Sequence, residues 1–466
     1  MLVLGLLLPI LLGLTICRAI IPDSTTIPAR LALAYSLGFG FLTLAMFFLN
    51  VIGLRFSLLN TTILVSAIIG ILLLFRRKST WLEFHSALKI NPFVRIRQFI
   101  ISLSTFEKVL VGLLIFFLLS HFVITVYWPV FRSDSLTLYD LRAKLLFTEQ
   151  SFPGAAARFD NQLVNMNWTR PVFSHAPMTS LVHTWLYLSG WASPKVFYAL
   201  LFLSLAILFY YFLSGYVPRY HALLFTLVMV TIPFSYVYAT ASYPHFAFTF
   251  YFSLGTFFLC RWIRLQKTGP LLLAGIFLGL SAWVRQVTGI FFIGYLVIAL
   301  YFGFSRRRFF APFLFAACYF SIASLWNIYS KNVLDLTGGI VPPISEGFSY
   351  LLTIERFLLI WKWKNVLDWL WNTALVGFQV VHYLLLLTII LYINRVWKHR
   401  FLFLIILSNL LLFLIGVYIS SLGREEWSHG SSVQRLYIMF LPIIWYFIAL
   451  ITAEPRLLNS ESSSSQ

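Results

Sequence analysis

Phe131-Arg132-Ser133-Asp134-Ser135-Leu136-Thr137-Leu138-Tyr139-Asp140-Leu141-Arg142-Ala143-Lys144 follows directly on an apolar run that ends at Trp128-Pro129-Val130. Two acids and three bases stand close together here, so this is the first long segment of the chain that cannot rest in hydrocarbon. The side of the membrane on which it stays decides the orientation of every helix after it. Composition supplies the membrane: 60% of the 466 residues are hydrophobic, 18% aromatic and 11% charged, and the mean hydropathy is +0.87. No soluble core needs so much apolar surface. The formal charge of +19 would suggest nucleic acid in a soluble domain. Here the bases fall in short clusters between apolar runs, as membrane topology requires, and no nucleic-acid partner is expected.

Outward from this stretch, thirteen runs are candidates to cross a bilayer: 1–16, 31–52, 58–75, 109–130, 196–213, 222–241, 246–263, 271–284, 290–304, 311–329, 375–393, 401–420 and 436–451. A span needs about 20 apolar residues, and 271–284 and 290–304 are the shortest. The expected fold is an all-α polytopic membrane protein of about 13 transmembrane helices. The first run lacks a positive n-region and reads as a retained helix. Basic clusters resist translocation, so Arg76-Arg77-Lys78, Arg219, Arg261 with Arg264 and Lys267, Arg306-Arg307-Arg308, and Arg395 with Lys398 and Arg400 are expected on the cytoplasmic side. They all fall there if 131–195 stays wholly outside. Residues 178–191, interrupted by His183, are too few to cross and read as a re-entrant or interfacial helix. Four regions follow: 1–106 with the N-terminal helices and a basic loop, 107–330 with the outer segment 131–177, 331–452 with a second outer segment and the C-terminal helices, and a low-complexity tail, 453–466. Cys17, Cys260 and Cys318 lie in or beside apolar runs without metal-ligand spacing.

Within the opening stretch, Ser133 or Asp134 suits a helix N-cap, and Leu136, Tyr139, Ala143 and Leu146 form an apolar stripe. The expectation is an amphipathic helix on the membrane surface, with Thr137, Asp140 and Lys144 on its polar face and Asp140–Lys144 as an i,i+4 pair. A carboxylate at the water–lipid boundary beside bases suits proton abstraction next to a lipid-linked phosphate. The plainer alternatives are a cap for Asp134 and a surface pair for Asp140. Arg285 interrupts an apolar run at a helix end, where a guanidinium is costly unless paired, wetted or bound to phosphate. Snorkelling is the alternative there, as ordinary flanking is for Arg435. His175 suits either substrate orientation or a structural role.

Ser133–Lys144 resembles the first outer-loop motif of bacterial members of the GT-C superfamily, the multi-spanning glycosyltransferases that use polyprenyl-phosphate-linked sugars, related to aminoarabinose and protein O-mannosyl transferases. In the same order, Ser174-His175-Ala176-Pro177-Met178 resembles the motif closing that loop. Tyr238 to Pro244 resembles a Tyr-Ala-Asp-Leu-Pro-like element, Ala282 to Gly289 a Thr-Lys-x-Glu-Gly-like one, and Gln434-Arg435-Leu436-Tyr437 the opening of the last helix. The resemblance implies an inverting transfer of a sugar to a glycan, lipid or protein acceptor on the extracytoplasmic side of a bacterial inner membrane. Asp134 would be the general base, with Asp140 as helper. Lys144, Arg285 and Arg435 would bind the donor phosphate, and His175 substrate. Ser242 and Val287 stand where the family often has acids, so only Asp134 and Asp140 carry over. No cofactor is implied with certainty, a divalent metal stays open, and membrane lipids are expected partners. The competing expectations are a transporter or flippase of a lipid-linked glycan and a non-catalytic membrane subunit.

Overall fold

The computed structural model describes residues 1–20, 25–74, 92–132, 134–162, 169–336, 371, 378, 380–419 and 435–453. Every regular element among them is helical. Ser133, the Arg76 cluster, Gly338, Glu346, Trp361, Trp363, Asp368, Trp369, Glu425, Glu426 and the tail 454–466 lie outside the described residues. Among the described residues, eight helices are long and apolar enough to cross a membrane: Leu2–Ile20, Ile27–Val51, Thr105–Tyr127, Lys195–Ser214, Pro244–Leu265, Thr288–Ser305, Phe310–Asn332 and Arg435–Thr452. Four shorter apolar helices among them are Leu58–Leu74, Thr268–Val284, Val380–Leu391 and Arg400–Ile415. The chain is a polytopic, all-helical membrane protein by the length and composition of these helices.

Run 222–241 departs from a single straight span. It forms two helices, Arg219–Thr231 and Pro233–Thr240, bent by 60°. Pro233 has no N–H to donate and drives the preceding residue out of the α region. Ile232 is accordingly extended, at φ −61° and ψ 116°, and Pro233 opens the second helix, where its missing donor costs nothing.

The bundle is built around helices that are buried on most sides. Some 83% of the apolar 18-residue stretch is buried in Ile27–Val51, Pro244–Leu265 and Arg435–Thr452, against 22% in Thr105–Tyr127. Two glycines let the first pair of helices touch backbone to backbone. A Cβ on Gly13 would fall 1.7 Å from the Ala34 carbonyl oxygen, and one on Gly38 would fall 1.8 Å from that of Pro9. Small residues permit such crossings in apolar surroundings, where dispersion and close packing replace the hydrophobic drive.

Direct contacts sort the helix ends into two levels. Thr105–Tyr127 begins where Arg219 grips Glu107 through two bonds of 2.7 and 2.8 Å and ends where Lys195 Nζ donates to the Trp128 carbonyl at 2.7 Å. At about 1.5 Å per residue these levels are roughly 34 Å apart. Arg261, Arg264, Arg306, Arg307, Arg308 and Arg395 lie with Arg219 at one end. Asp134, His245, Arg285 and Arg435 lie at the other, the Asp134 end.

Residues 134–162 and 169–191 build a platform on the Asp134 end. Ser135–Asp140 is π-helical, followed by α-helices Leu141–Glu149, Phe152–Gln162, Thr169–Ser174 and Met178–Leu188. Gln150, at φ 53°, turns the chain out of the first α-helix, and Asn50 ties the next to the bundle. Its Oδ1 accepts from Phe152 N at 2.8 Å and its Nδ2 donates to Tyr329 Oη at 2.6 Å. The leading helix does not lie on a lipid surface. Tyr139, Ala143 and Leu146 are buried as the stripe requires, but Leu136 is exposed and Asp140 is only 2% exposed. The wider π turn, with its i→i+5 pattern, shifts the register that an α period assigns. Met178–Leu188 is buried on all faces from Met178 to Leu186. Ser180 bonds Arg142 at one end, and Trp191, just beyond the other, donates to the Leu2 carbonyl. Both ends therefore stay at the same level, and a length of about 16 Å could not cross.

Candidate functional site

Arg142 organises the platform. Its side chain is fully buried and donates to Ser180 Oγ at 2.8 Å and to the carbonyls of Val172, His175 and Ala176 at 3.0, 2.7 and 2.9 Å. A planar guanidinium has donors enough to fork onto several carbonyls at once, which an ammonium cannot match. Burial pulls its pKa from 12.5 to about 10, so it stays charged at neutral pH. The segment closing the platform, Val172 to Ala176, is thus folded around a cation, and Trp326 Nε1 secures it further by donating to the Ser174 carbonyl at 3.1 Å.

Beside it, four of the residues expected from sequence converge from separate parts of the chain. Arg435 Nη1 donates to Asp134 Oδ2 at 2.5 Å, and its guanidinium lies 4.9 Å from the Tyr243 ring centroid. The Asp134 side chain makes no capping hydrogen bond, so its carboxylate faces an arginine from the last helix and does not close its own helix. Arg285 Nη1 donates to His245 Nε2. His245 must then be neutral with its proton on Nδ1, and that atom is buried without a partner among the described residues. Tyr139 packs its ring 5.9 Å from that of His175, and its buried hydroxyl feels Arg285, Arg142 and Arg435 against the single carboxylate of Asp134. Burial and the guanidiniums of Arg285 and Arg142 hold the His175 pKa at about 3, so this imidazole is neutral near pH 7. Ser135 Oγ donates to the Ala241 carbonyl at 2.5 Å and docks the platform onto the bent helix. The adjoining Ser242 holds a left-handed φ of 57°, and its buried hydroxyl has no partner among the described residues.

Asp140 and Lys144 belong to a second network. Asp140 Oδ2 lies 3.0 Å from Lys144 Nζ, while Oδ1 accepts from Tyr187 Oη and stands 3.5 Å from His183 Nδ1. His183 Nε2 meets Tyr198 Oη at 2.9 Å. Burial would raise the Asp140 pKa, but His183, Tyr187 and Lys144 outweigh it and hold it at about 2. Burial, joined by the same carboxylate, pushes the Tyr187 phenol up. This pair is no exposed surface bridge, because one partner is almost wholly enclosed and engaged on both oxygens.

The first cluster carries an excess of positive charge: the guanidiniums of Arg435 and Arg285 share the one carboxylate of Asp134, with the fully engaged Arg142 guanidinium close to His175 and Tyr139. Positive charge so poorly balanced in a partly dry place favours a ligand bearing negative charge. The sequence reading missed Arg142, Tyr243 and His245. The signal for Arg142 was present: a base between apolar Leu141 and Ala143 on the buried side of a helix requires a partner. Among the described residues no group of three or more His, Cys, Asp or Glu side chains comes together as a metal site, and Asp134 is bordered by arginines, so the residues present do not form a ligand set for a divalent ion. Compared with protein-family models, curated proteins and solved structures, the chain matches none.

Proposed function

We propose that this protein is an integral-membrane glycosyltransferase of the GT-C type, moving a sugar from a polyprenyl-phosphate donor to an acceptor on the extracytoplasmic side of a bacterial inner membrane. The observation that carries the reading is the meeting of Asp134 with Arg435 and Arg285 at the ends of apolar helices. A prenyl chain can lie along the bundle while its phosphate reaches that cluster. The acceptor hydroxyl oxygen forms a bond to the anomeric carbon as the bond from that carbon to the phosphate oxygen breaks. The hydroxyl proton goes to Asp134, and the electron pair leaves with the polyprenyl phosphate. Negative charge grows on that phosphate, and Arg285 and Arg435 are the donors that stabilise it. Arg435 now holds Asp134, so the arriving phosphate would draw the guanidinium away and free the carboxylate as a base. Charged groups of the described long helices lie near their ends. Mid-helix polar groups such as Thr256, Tyr295 and Asn409, which bond one another, are uncharged, as suits an enzyme worked at one face.

A second reading, escort of an intact lipid-linked glycan between leaflets, draws on the 60° break at Ile232, since broken helices recur in transporters. The test is to give purified protein and Asp134→Asn a radiolabelled polyprenyl-phosphate sugar with a cell-envelope extract. Transfer that is lost in the variant is the expected result. Transfer undiminished by the substitution removes Asp134 from the mechanism. Absence of transfer together with leaflet exchange of intact donor in liposomes favours the escort.

A further inference from the structure

At the end of the bundle opposite Asp134, a cavity of about 310 Å³ opens between the end of Pro244–Leu265, the start of Thr268–Val284 and the turn that leads into Phe310–Asn332. Trp262, Leu271, Phe310 and Leu314 form its apolar walls, and Arg307 and Arg308 its rim. The arginines at this end of the bundle differ sharply in how they are held. Arg219 is engaged by Glu107, Arg261 by the Tyr211 hydroxyl, Arg264 by the Tyr216 ring, and Arg395 by the carbonyls of Ile451 and Ala453. Arg306, Arg307 and Arg308 have no side-chain partner among the described residues and are exposed.

The backbone beneath them is specific. Arg308 N donates to the Gly303 carbonyl at 2.7 Å and Arg307 N to that of Phe304 at 3.1 Å, the paired bonds of a Schellman helix end. Its left-handed position, φ 55°, is occupied by Arg307, where glycine would be unstrained. Phe304, Phe309, Phe310 and Phe313 are exposed around the turn; such rings partition into hydrocarbon, while the long arginine side chains beside them reach up to the headgroups. The site therefore offers unmatched cations at headgroup level directly above an apolar wall.

We propose that this cavity binds one anionic phospholipid, its phosphate diester held by Arg307 and Arg308 and one acyl chain laid over Phe310 and Leu314. Charge complementarity selects the occupant. A zwitterionic lipid brings its own cation to the rim, and a free phosphate leaves the apolar wall wet. Arg306 is outside the lining and serves as an internal control of equal charge.

The experiment measures anisotropy of a fluorescent phosphatidylglycerol bound to the purified full chain in non-ionic detergent. Unlabelled phosphatidylglycerol should displace it, whereas phosphatidylcholine and millimolar inorganic phosphate should not. Arg307→Gly and Arg308→Gln should each weaken binding about five-fold, the size of one basic contact at a membrane surface, with Arg306→Gln unchanged. Arg307→Gly suits the left-handed turn and stays folded, as size exclusion would register. Equal weakening by Arg306→Gln, displacement by phosphatidylcholine or by phosphate, or full binding in the Arg307→Gly/Arg308→Gln double variant would each overturn the proposal.

Discussion

Replacing Arg142 by alanine tests whether a buried guanidinium, and not apolar packing alone, holds the platform together. The substitution removes four hydrogen bonds at once and strands three carbonyls, those of Val172, His175 and Ala176, while the Ser180 hydroxyl keeps its bond to the Tyr139 carbonyl. Each hydrogen bond to a charged donor contributes about 1.5–3 kcal/mol, and each stranded buried group costs about 1–3 kcal/mol. Loss of an enclosed charge returns part of that sum, since burying a cation is itself unfavourable, and water can enter the vacated space. A net local loss of about 3 kcal/mol remains. It falls on opening of residues 172–186, not on the whole bundle, because the long helices pack independently of this contact. Hydrogen exchange reads such opening directly: at about 1.4 kcal/mol per decade, amides in this segment should exchange roughly 10²-fold faster. Arg142→Lys keeps the charge but not the fork and should give an intermediate rate. Arg158→Ala, which removes an exposed pair with Glu149, should change little. Unaltered exchange across 172–186 in Arg142→Ala would refute the view that this cation organises the segment.

The Asp140 network makes stability depend on acid. Its folded pKa, about 2, lies below the unfolded value, so the stabilisation is complete above about pH 4 and is lost as pH falls through 2. It amounts to about 2 kcal/mol, and a thermal melt series across that range should lose this dependence in Asp140→Asn. His175 is held neutral, with a pKa of about 3, so a transfer rate measured from pH 5 to 8 should carry no inflection that disappears in His175→Asn. Arg285→Lys retains charge without a planar fork and should lower transfer about 10²-fold or more, the cost of removing one preorganised donor from a developing oxyanion, as initial rates would reveal. Gly13→Leu drives a side chain into the Ala34 carbonyl. Overpacking of this kind costs upward of about 3 kcal/mol, and size exclusion should find little folded protein.

Much of the scaffold could be read from patterning. Each apolar run that the residues mark carries a helix, and the basic clusters that are described share one end of the bundle. This legibility has a plain cause: a backbone in hydrocarbon must satisfy its own hydrogen bonds, so an apolar run of sufficient length becomes a helix whatever surrounds it. Even the exception at Ile232 is local, since Pro233 acts on its immediate neighbour. Residues 178–191 were readable for the same reason, being too short to cross.

The roles of the polar residues required tertiary structure. Asp134 and Arg435 stand 301 positions apart, and no local pattern says that one will hold the other. Asp140 and Lys144 do form their i,i+4 pair, yet the π turn rotates the carboxylate into an enclosure made by Tyr187 and His183, a register change invisible to an α period. Arg142 lies two residues from Asp140, and its four acceptors come from a later segment that only folding brings to it. The sequence by itself determined which segments enter the membrane, because transfer of apolar surface is a property of each segment. Tertiary structure alone decided which charges meet, because a long-range ion pair depends on helix ends that only packing brings together.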